Sequence, residues 1–83
     1  MDIEGIVTAL KNYITAELLD GQGSDLELTT PLLELGIIDS ISTLRIVQFM
    51  ESKFDIEVPA NELKAENMSS INNMSKMILK LKH

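Results

Sequence analysis

The chain has 83 residues, 45% of them hydrophobic, a formal net charge of −6 and no cysteine. These values exclude disulfides and thiolate metal sites, so one domain spanning residues 1–83 must be stabilised by apolar burial. The negative charge disfavours nucleic acid and anionic membranes as partners, and it favours a basic patch on another protein.

Residues 2–18 have apolar side chains three and four positions apart, which predicts an amphipathic helix with Asp2 as its N-cap. Residues 19–38 interrupt this spacing with glycine, serine, threonine and proline, and therefore predict a long loop. Several leucines indicate that the loop is packed on the core. They are Leu26, Leu28, Leu32, Leu33 and Leu35.

A second helix is predicted to begin at Asp39-Ser40, with Asp39 as N-cap, and to end near Lys53-Phe54. Its apolar positions predict a buried stripe along one face, and Phe49 is expected in the core. The stripe consists of Ile41, Leu44, Val47 and Met50 or Glu51.

The C-terminal third begins with an extended segment, residues 55–59, because Pro59 restricts the residue before it. Residues 60–64 predict one short helical turn, and a last helix is expected from a cap at Asn67 or Ser69 to about Leu81. The predicted fold is all-α: a small bundle of three main helices plus one short helix, with a long structured loop between the first two. A small cavity beneath the second helix is expected, lined by Val47, Ile56 and Leu63.

Side chains for catalysis are missing from the sequence. The single histidine is the last residue, His83, so the fold contains no internal histidine. Without an internal histidine and without cysteine, no Ser–His or Cys–His nucleophile pair can be built. The histidine and cysteine ligands that zinc sites use are missing as well. A calcium loop starting at Asp20 fails, because Asp25 and Pro31 stand where glycine and glutamate are needed. We therefore expect neither an enzyme nor a metal site.

Ser40 is the informative residue, since it follows a glycine-containing loop and opens the second helix. The free N–H groups of a first helical turn favour an attached anion such as a phosphodiester. Position alone nevertheless favours a simpler role, in which Ser40 only helps to cap the helix.

Three segments carry a resemblance that changes this balance: 30–36 (TPLLELG), 38–41 (IDSI) and 51–59 (ESKFDIEVP). Over residues 28–78 the chain resembles the acyl carrier and peptidyl carrier proteins. The resemblance implies that Ser40 receives 4′-phosphopantetheine from coenzyme A. It also implies that Asp39 assists this modification by helping the transferase to hold Mg²⁺.

The implied partners are a phosphopantetheinyl transferase, an adenylating or acyl-transferring enzyme, and downstream synthase or tailoring enzymes. Arg45 stands where carriers of primary fatty acid synthesis usually have an acidic residue, which indicates other partners. The alternative is that Arg45 only forms a helical salt bridge. The chain is more similar to free-standing carriers of specialised pathways. The expected docking residues are Ile41, Arg45, Glu51, Glu57 and Glu62.

The leading hypothesis is an acyl or aminoacyl carrier that holds a thioester. We expect a discrete protein and not a module of a larger one, because the short chain has its own initiating Met and no linker. A D-alanyl carrier is the next alternative, followed by a primary fatty acid carrier. A hypothesis of another class is a helical interaction module that never receives the arm. Since signal-peptide and membrane-span patterns are absent, we expect a cytoplasmic protein, and we expect a monomer.

Overall fold

The computed structural model of the chain describes residues 2–18 and 26–82. The described helices are α1 (Ile3–Leu18), α2 (Ser40–Phe54), α3 (Ala65–Met68) and α4 (Ile71–Lys82), with a 3₁₀ turn at Ala60–Glu62. No strand occurs within these two ranges. The predicted all-α fold of three main helices with short helical pieces is therefore confirmed. In the described part of the chain, no helix is long and apolar enough to cross a membrane.

Helix α1 begins as the sequence predicts, because the Asp2 carboxylate caps it: the Gly5 N–H donates to Asp2 Oδ1 at 3.0 Å. Ile6, Leu10 and Ile14 are fully buried and lie four residues apart, so they form one continuous stripe. This stripe packs mainly against α4.

The segment from Leu26 to Ile38 is held onto the helices by both side chains and backbone. Leu26, Leu32 and Ile38 are buried, whereas Leu28 and Leu35 are exposed, so the prediction of core packing is wrong for those two leucines. The backbone anchors the segment instead, since Asn72 N donates to the carbonyl oxygen of Leu28 at 2.9 Å. Predictions on residues 19–25, including the rejected calcium loop, lie outside the described residues.

Helix α2 has a narrower buried face than its apolar residues suggest. The buried side chains are Ile46, Val47, Met50 and Phe54. At 100° per residue, this arc leaves Ile41 on the opposite side of the helix and Leu44 beyond its edge. The predicted stripe is therefore wrong for Ile41 and Leu44, which are exposed.

Phe49 lies at the junction of α1 and α2, where it is half-buried against the core, so the predicted core position is met only in part. Its ring stacks on Tyr13 of α1 with centroids 4.2 Å apart, and the edge contact to Phe54 spans 6.2 Å. Stacked and edge-to-face aromatic pairs of this kind fix the relative position of two helices.

The last helix begins later than predicted. Asn67 belongs to the separate helix α3, and Ser69 follows its end. The cap of α4 is Ser70, whose hydroxyl oxygen accepts from Asn73 N at 3.2 Å. Ser69 instead offers its carbonyl oxygen to Leu32 N at 2.8 Å, which joins the loop to this corner. The predicted caps at Asn67 and Ser69 are therefore wrong, because tertiary contacts bend the chain between α3 and α4.

Candidate functional site

The start of α2 is fixed by Asp39, which is its N-cap in an extended backbone conformation. Asp39 Oδ1 accepts from Ser42 N at 2.8 Å, and the Asp39 carbonyl oxygen accepts from Thr43 N at 2.8 Å. The hydrogen bond from the Ser42 backbone lowers the pKa of Asp39 below its ordinary value. An ionised carboxylate therefore lies at the positive end of the α2 dipole.

Ser40 is the first residue of α2 and is exposed. Because Asp39 caps the helix, the Ser40 hydroxyl has no capping role, and it makes no hydrogen bond within the described residues. The simpler interpretation of Ser40, as a helix cap, is therefore not the one observed. The structure leaves this hydroxyl accessible on a rigid helical position.

A compact turn precedes Asp39 and Ser40 in the chain. Gly36 takes a left-handed conformation (φ 73°), and its N–H donates to the Leu33 carbonyl oxygen at 3.2 Å. Ile38 N donates to the Leu32 carbonyl oxygen at 3.3 Å, and the side chains of both residues are buried. The turn and its two anchors hold Asp39 and Ser40 in place relative to the core.

An open groove of about 320 Å³ adjoins Ser40. It runs between the beginning of α2 and the segment that contains α3, and its walls are mostly apolar. The lining residues are Leu33, Ser40, Thr43, Leu44, Leu63, Lys64, Ala65 and Met68. Of the three residues predicted to line a cavity, only Leu63 takes part, since Val47 is buried in the core. A groove beside α2 therefore exists, but it is open, and neither Val47 nor Ile56 lines it.

Three exposed apolar side chains lie on the elements around Ser40: Ile41 (70% exposed), Leu44 (58%) and Leu63 (37%). We call these three residues the apolar patch. Leu35, in the turn before α2, is 62% exposed. Exposed apolar clusters beside a reactive group are typical of protein contact surfaces. Ile41 is among the predicted docking residues, but Leu44 and Leu63 are not, because helical spacing does not reveal their exposure.

The three glutamates predicted to dock partners have different surroundings. Glu51 Oε2 accepts from Val58 N at 3.0 Å and so holds the extended segment after α2. Glu62 is almost buried, and its Oε1 lies 2.7 Å from Lys80 Nζ, a contact that is the main cause of its lowered pKa. Glu57 is exposed. Two of the three carboxylates therefore have internal partners, and a docking role for any of them stays a prediction.

Arg45 is exposed on α2. Within residues 2–18 and 26–82 the one ion pair is Glu62–Lys80, so the alternative of a helical salt bridge for Arg45 is wrong. Its side chain lines a second, larger groove of about 740 Å³ between α1 and α2, together with Tyr13, Phe49 and Lys53. The described part of the chain contains no group of three or more acidic, histidine or cysteine side chains able to hold a metal ion.

Comparison with known proteins gives one matching family model, described as a phosphopantetheine attachment site, over residues 9–78. A protein named probable acyl carrier protein PigG, from Serratia sp., is 30% identical, and the match covers 88% of this chain and 84% of that protein. A D-alanyl carrier protein of Leuconostoc citreum is 30% identical over 86% of this chain and 83% of its own length. One from Streptococcus suis is 33% identical over 63% and 66%, respectively.

A solved structure is similar as well. A chain in a structure described as "Crystal structure of FAD-dependent dehydrogenase" superposes with a TM-score of 0.78 and 31% sequence identity. The match covers 84% of this chain and 99% of that chain, so the two share almost the whole length of the smaller one.

Proposed function

The chain belongs to the phosphopantetheine-binding carrier proteins, and on that premise we propose that Ser40 carries the 4′-phosphopantetheine arm on which an acyl or aminoacyl group is held as a thioester. The family consists of carriers rather than enzymes, so the chain itself performs no catalysis. The observation that carries the assignment to Ser40 is its exposed hydroxyl, left free because Asp39 caps α2. The matched segment, residues 9–78, includes this position.

The residues at the start of α2 fit the attachment of the arm. Ser40 Oγ would form a bond to the phosphorus of coenzyme A that bears the pantetheine, while the P–O bond of the diphosphate breaks and adenosine 3′,5′-bisphosphate leaves. The serine proton would go to a base of the transferase or to solvent. Asp39 remains ionised beside it and offers carboxylate oxygen to the Mg²⁺ of the transferase, a cation that prefers such ligands. The bound arm supplies the thiol that a chain without cysteine lacks.

The experiment that tests this assignment is incubation of the purified protein with coenzyme A and a broad-specificity phosphopantetheinyl transferase. Intact mass should increase by one phosphopantetheine, and Ser40→Ala should abolish the increase. Ser42→Ala is the matched control, since Ser42 lies in the same helical turn, and it should still be modified. If the mass stays unchanged while a known carrier is modified in the same mixture, the chain is an unmodified interaction module instead.

We infer further that the protein serves a specialised pathway as a discrete carrier, loaded by an adenylating or acyl-transferring enzyme. The similarity to PigG over most of both chains supports this. The similar solved structure is described as that of an FAD-dependent dehydrogenase, which supports oxidation of the tethered group by a flavin enzyme as a downstream step. The unpaired cation Arg45 on α2 also distinguishes this surface from an acidic docking face.

A D-alanyl carrier is the second candidate, since several of the similar proteins, those of Streptococcus suis and Leuconostoc citreum among them, have that name. A loading assay separates the two candidates: the holo-protein is offered to adenylating enzymes with a panel of acids and amino acids that includes D-alanine. Intact mass then identifies the thioester that forms. Selective loading of D-alanine supports the second candidate, and selective loading of another amino acid or an acyl group supports the first.

The apolar patch and Arg45 are the proposed contact points for these partners, with Glu51, Glu57 and Glu62 as further predicted docking residues. A cytoplasmic location and a monomeric state also stay predictions. Light scattering coupled to size exclusion tests the second of these, since a dimer would double the mass expected for 83 residues.

A further inference from the structure

The groove beside Ser40 contains a single charged side chain. Of its lining residues, only Lys64 is ionisable, and the others are serine, threonine, alanine, leucine and methionine. Lys64 is the residue before α3, where its backbone is extended (φ −96°, ψ 150°) and its carbonyl oxygen accepts from Met68 N at 3.1 Å. Because Met68 is buried, the backbone of Lys64 is tied to the core although its side chain is exposed.

The ammonium group of Lys64 is available for a ligand. It forms no ion pair with any described residue. The nearby carboxylate of Glu62 is already occupied: Oε1 accepts from Lys80 Nζ at 2.7 Å, and Oε2 lies 3.4 Å from Asn67 Nδ2. Lys64 also attracts Glu62 and contributes to its lowered pKa, but both carboxylate oxygens already have other partners, and Lys64 forms no ion pair with them.

Attachment of the arm at Ser40 would place a phosphodiester, with one negative charge, at the end of this groove. A phosphate oxygen and a lysine ammonium attract each other as point charges without the fixed geometry that arginine requires. Next to the phosphate the arm carries a branched hydrocarbon segment, and the groove offers apolar side chains for it from Leu33, Leu44 and Leu63.

We propose that Lys64, on the wall of this groove, is the counter-ion of the arm's phosphodiester, an inference that rests on the proposed attachment at Ser40. Lys64 thereby acts as a positioning residue. It biases the arm toward the groove between α2 and α3, while an exposed ion pair remains weak enough for a partner enzyme to withdraw the arm. Added salt should release the arm from the groove, because it shortens the range over which the two charges attract each other, about 8 Å at physiological ionic strength.

The test uses the holo-protein and does not depend on activity. The arm is attached to the wild type, Lys64→Gln, Lys64→Arg and the control Lys53→Gln, which removes the same charge from the far end of α2. Phosphorus NMR reports the environment of the phosphodiester, and proton NOEs report contacts between the arm's methyl groups and Leu44 or Leu63. In the wild type the phosphorus shift should move with added NaCl, and the NOEs should be present.

Lys64→Gln should remove the salt dependence of the phosphorus shift and weaken the NOEs about threefold, the size expected for an exposed ion pair. Lys64→Arg should restore both signals, and Lys53→Gln should match the wild type. If the arm is attached but Lys64→Gln leaves the phosphorus shift and NOEs unchanged, the role of Lys64 is refuted and the carrier assignment stands. If no variant with Ser40 intact acquires the arm, the proposed function itself fails.

Discussion

At the scale of single residues, Asp39 has two separable roles, as helix cap and as the ionised neighbour of Ser40. Asn can accept the same hydrogen bond from Ser42 N but has no charge, whereas Ala can do neither. We therefore predict that Asp39→Ala lowers the thermal unfolding midpoint by about 5 °C and that Asp39→Asn leaves it nearly unchanged. Both variants should be modified more slowly by the transferase, since neither offers a carboxylate to Mg²⁺.

Thermal unfolding followed by circular dichroism and intact mass over time are the two measurements. Rapid arm transfer to Asp39→Asn would refute the role of the charge, and an equal loss of stability in both variants would refute the role of the cap. The sequence alone predicts the cap, because an aspartate before an apolar-periodic segment has a local signature. It leaves open whether Ser40 also helps to cap the helix, and the free hydroxyl of Ser40 depends on that outcome.

At the scale of the helices, the side chains of the apolar patch should matter for partner recognition and little for the stability of the fold. Ile41 and Leu44 are mostly exposed, so their truncation to Ala removes little buried area. We predict that Ile41→Ala and Leu44→Ala change the unfolding midpoint little but lower the kcat/KM of arm transfer about tenfold, as expected for central contact residues. Leu28→Ala is the control, because Leu28 is an exposed leucine outside α2 and should leave kcat/KM unchanged. Equal effects at Leu28 and Leu44 would contradict the patch.

The 3₁₀ turn at Ala60–Glu62 is tied to α4 by Glu62 and Lys80, and this pair should make stability depend on pH. The hydrogen bond from Lys80 holds the pKa of Glu62 below its ordinary value of 4.5. Its contribution is therefore complete above that value and is lost as pH falls through the folded-state pKa. We predict that the wild type is more stable than Glu62→Gln at neutral pH and that the difference shrinks at acidic pH.

Urea unfolding between about pH 7 and pH 3 measures this difference. Glu57→Gln is the control, since Glu57 is exposed, and its difference from the wild type should be small throughout. A constant gap between the wild type and Glu62→Gln across this range would mean that the charge of Glu62 does not stabilise the fold.

Hydrophobic periodicity predicts the three main helices well, because each buries one stripe of side chains. It fails where an element is short or its apolar residues exceed one stripe. Helix α3 has four residues, too few for a period, and its polar links to α4, such as Asn73 Nδ2 to the Glu66 carbonyl oxygen at 2.9 Å, join separate elements. Leu44 has the spacing of a core residue, but the neighbouring helices leave its side uncovered.

For the whole molecule, net charge is a poor guide to the surface that a partner meets. The chain carries −6, yet the one carboxylate on α2, Glu51, is engaged by Val58 N, while Arg45 and Lys53 are exposed. The expectation of a basic partner patch therefore applies to the molecule as a whole and not to α2 itself, whose exposed charged side chains are Arg45 and Lys53. Composition predicts the overall charge, but only the folded chain decides which charges remain available on each helix.

This local charge should discriminate between partners, because like charges across an interface are strongly disfavoured. An acyl transferase of primary fatty acid synthesis with a basic docking surface should load the holo-protein slowly. Arg45→Glu should increase that loading rate several-fold, and the gain should shrink as NaCl is added. Lys76→Glu changes the net charge equally but lies on α4, so it should have little effect. Equal gains in both variants would show that the transferase responds to net charge alone, and the absence of any gain would remove Arg45 as a determinant of pathway choice.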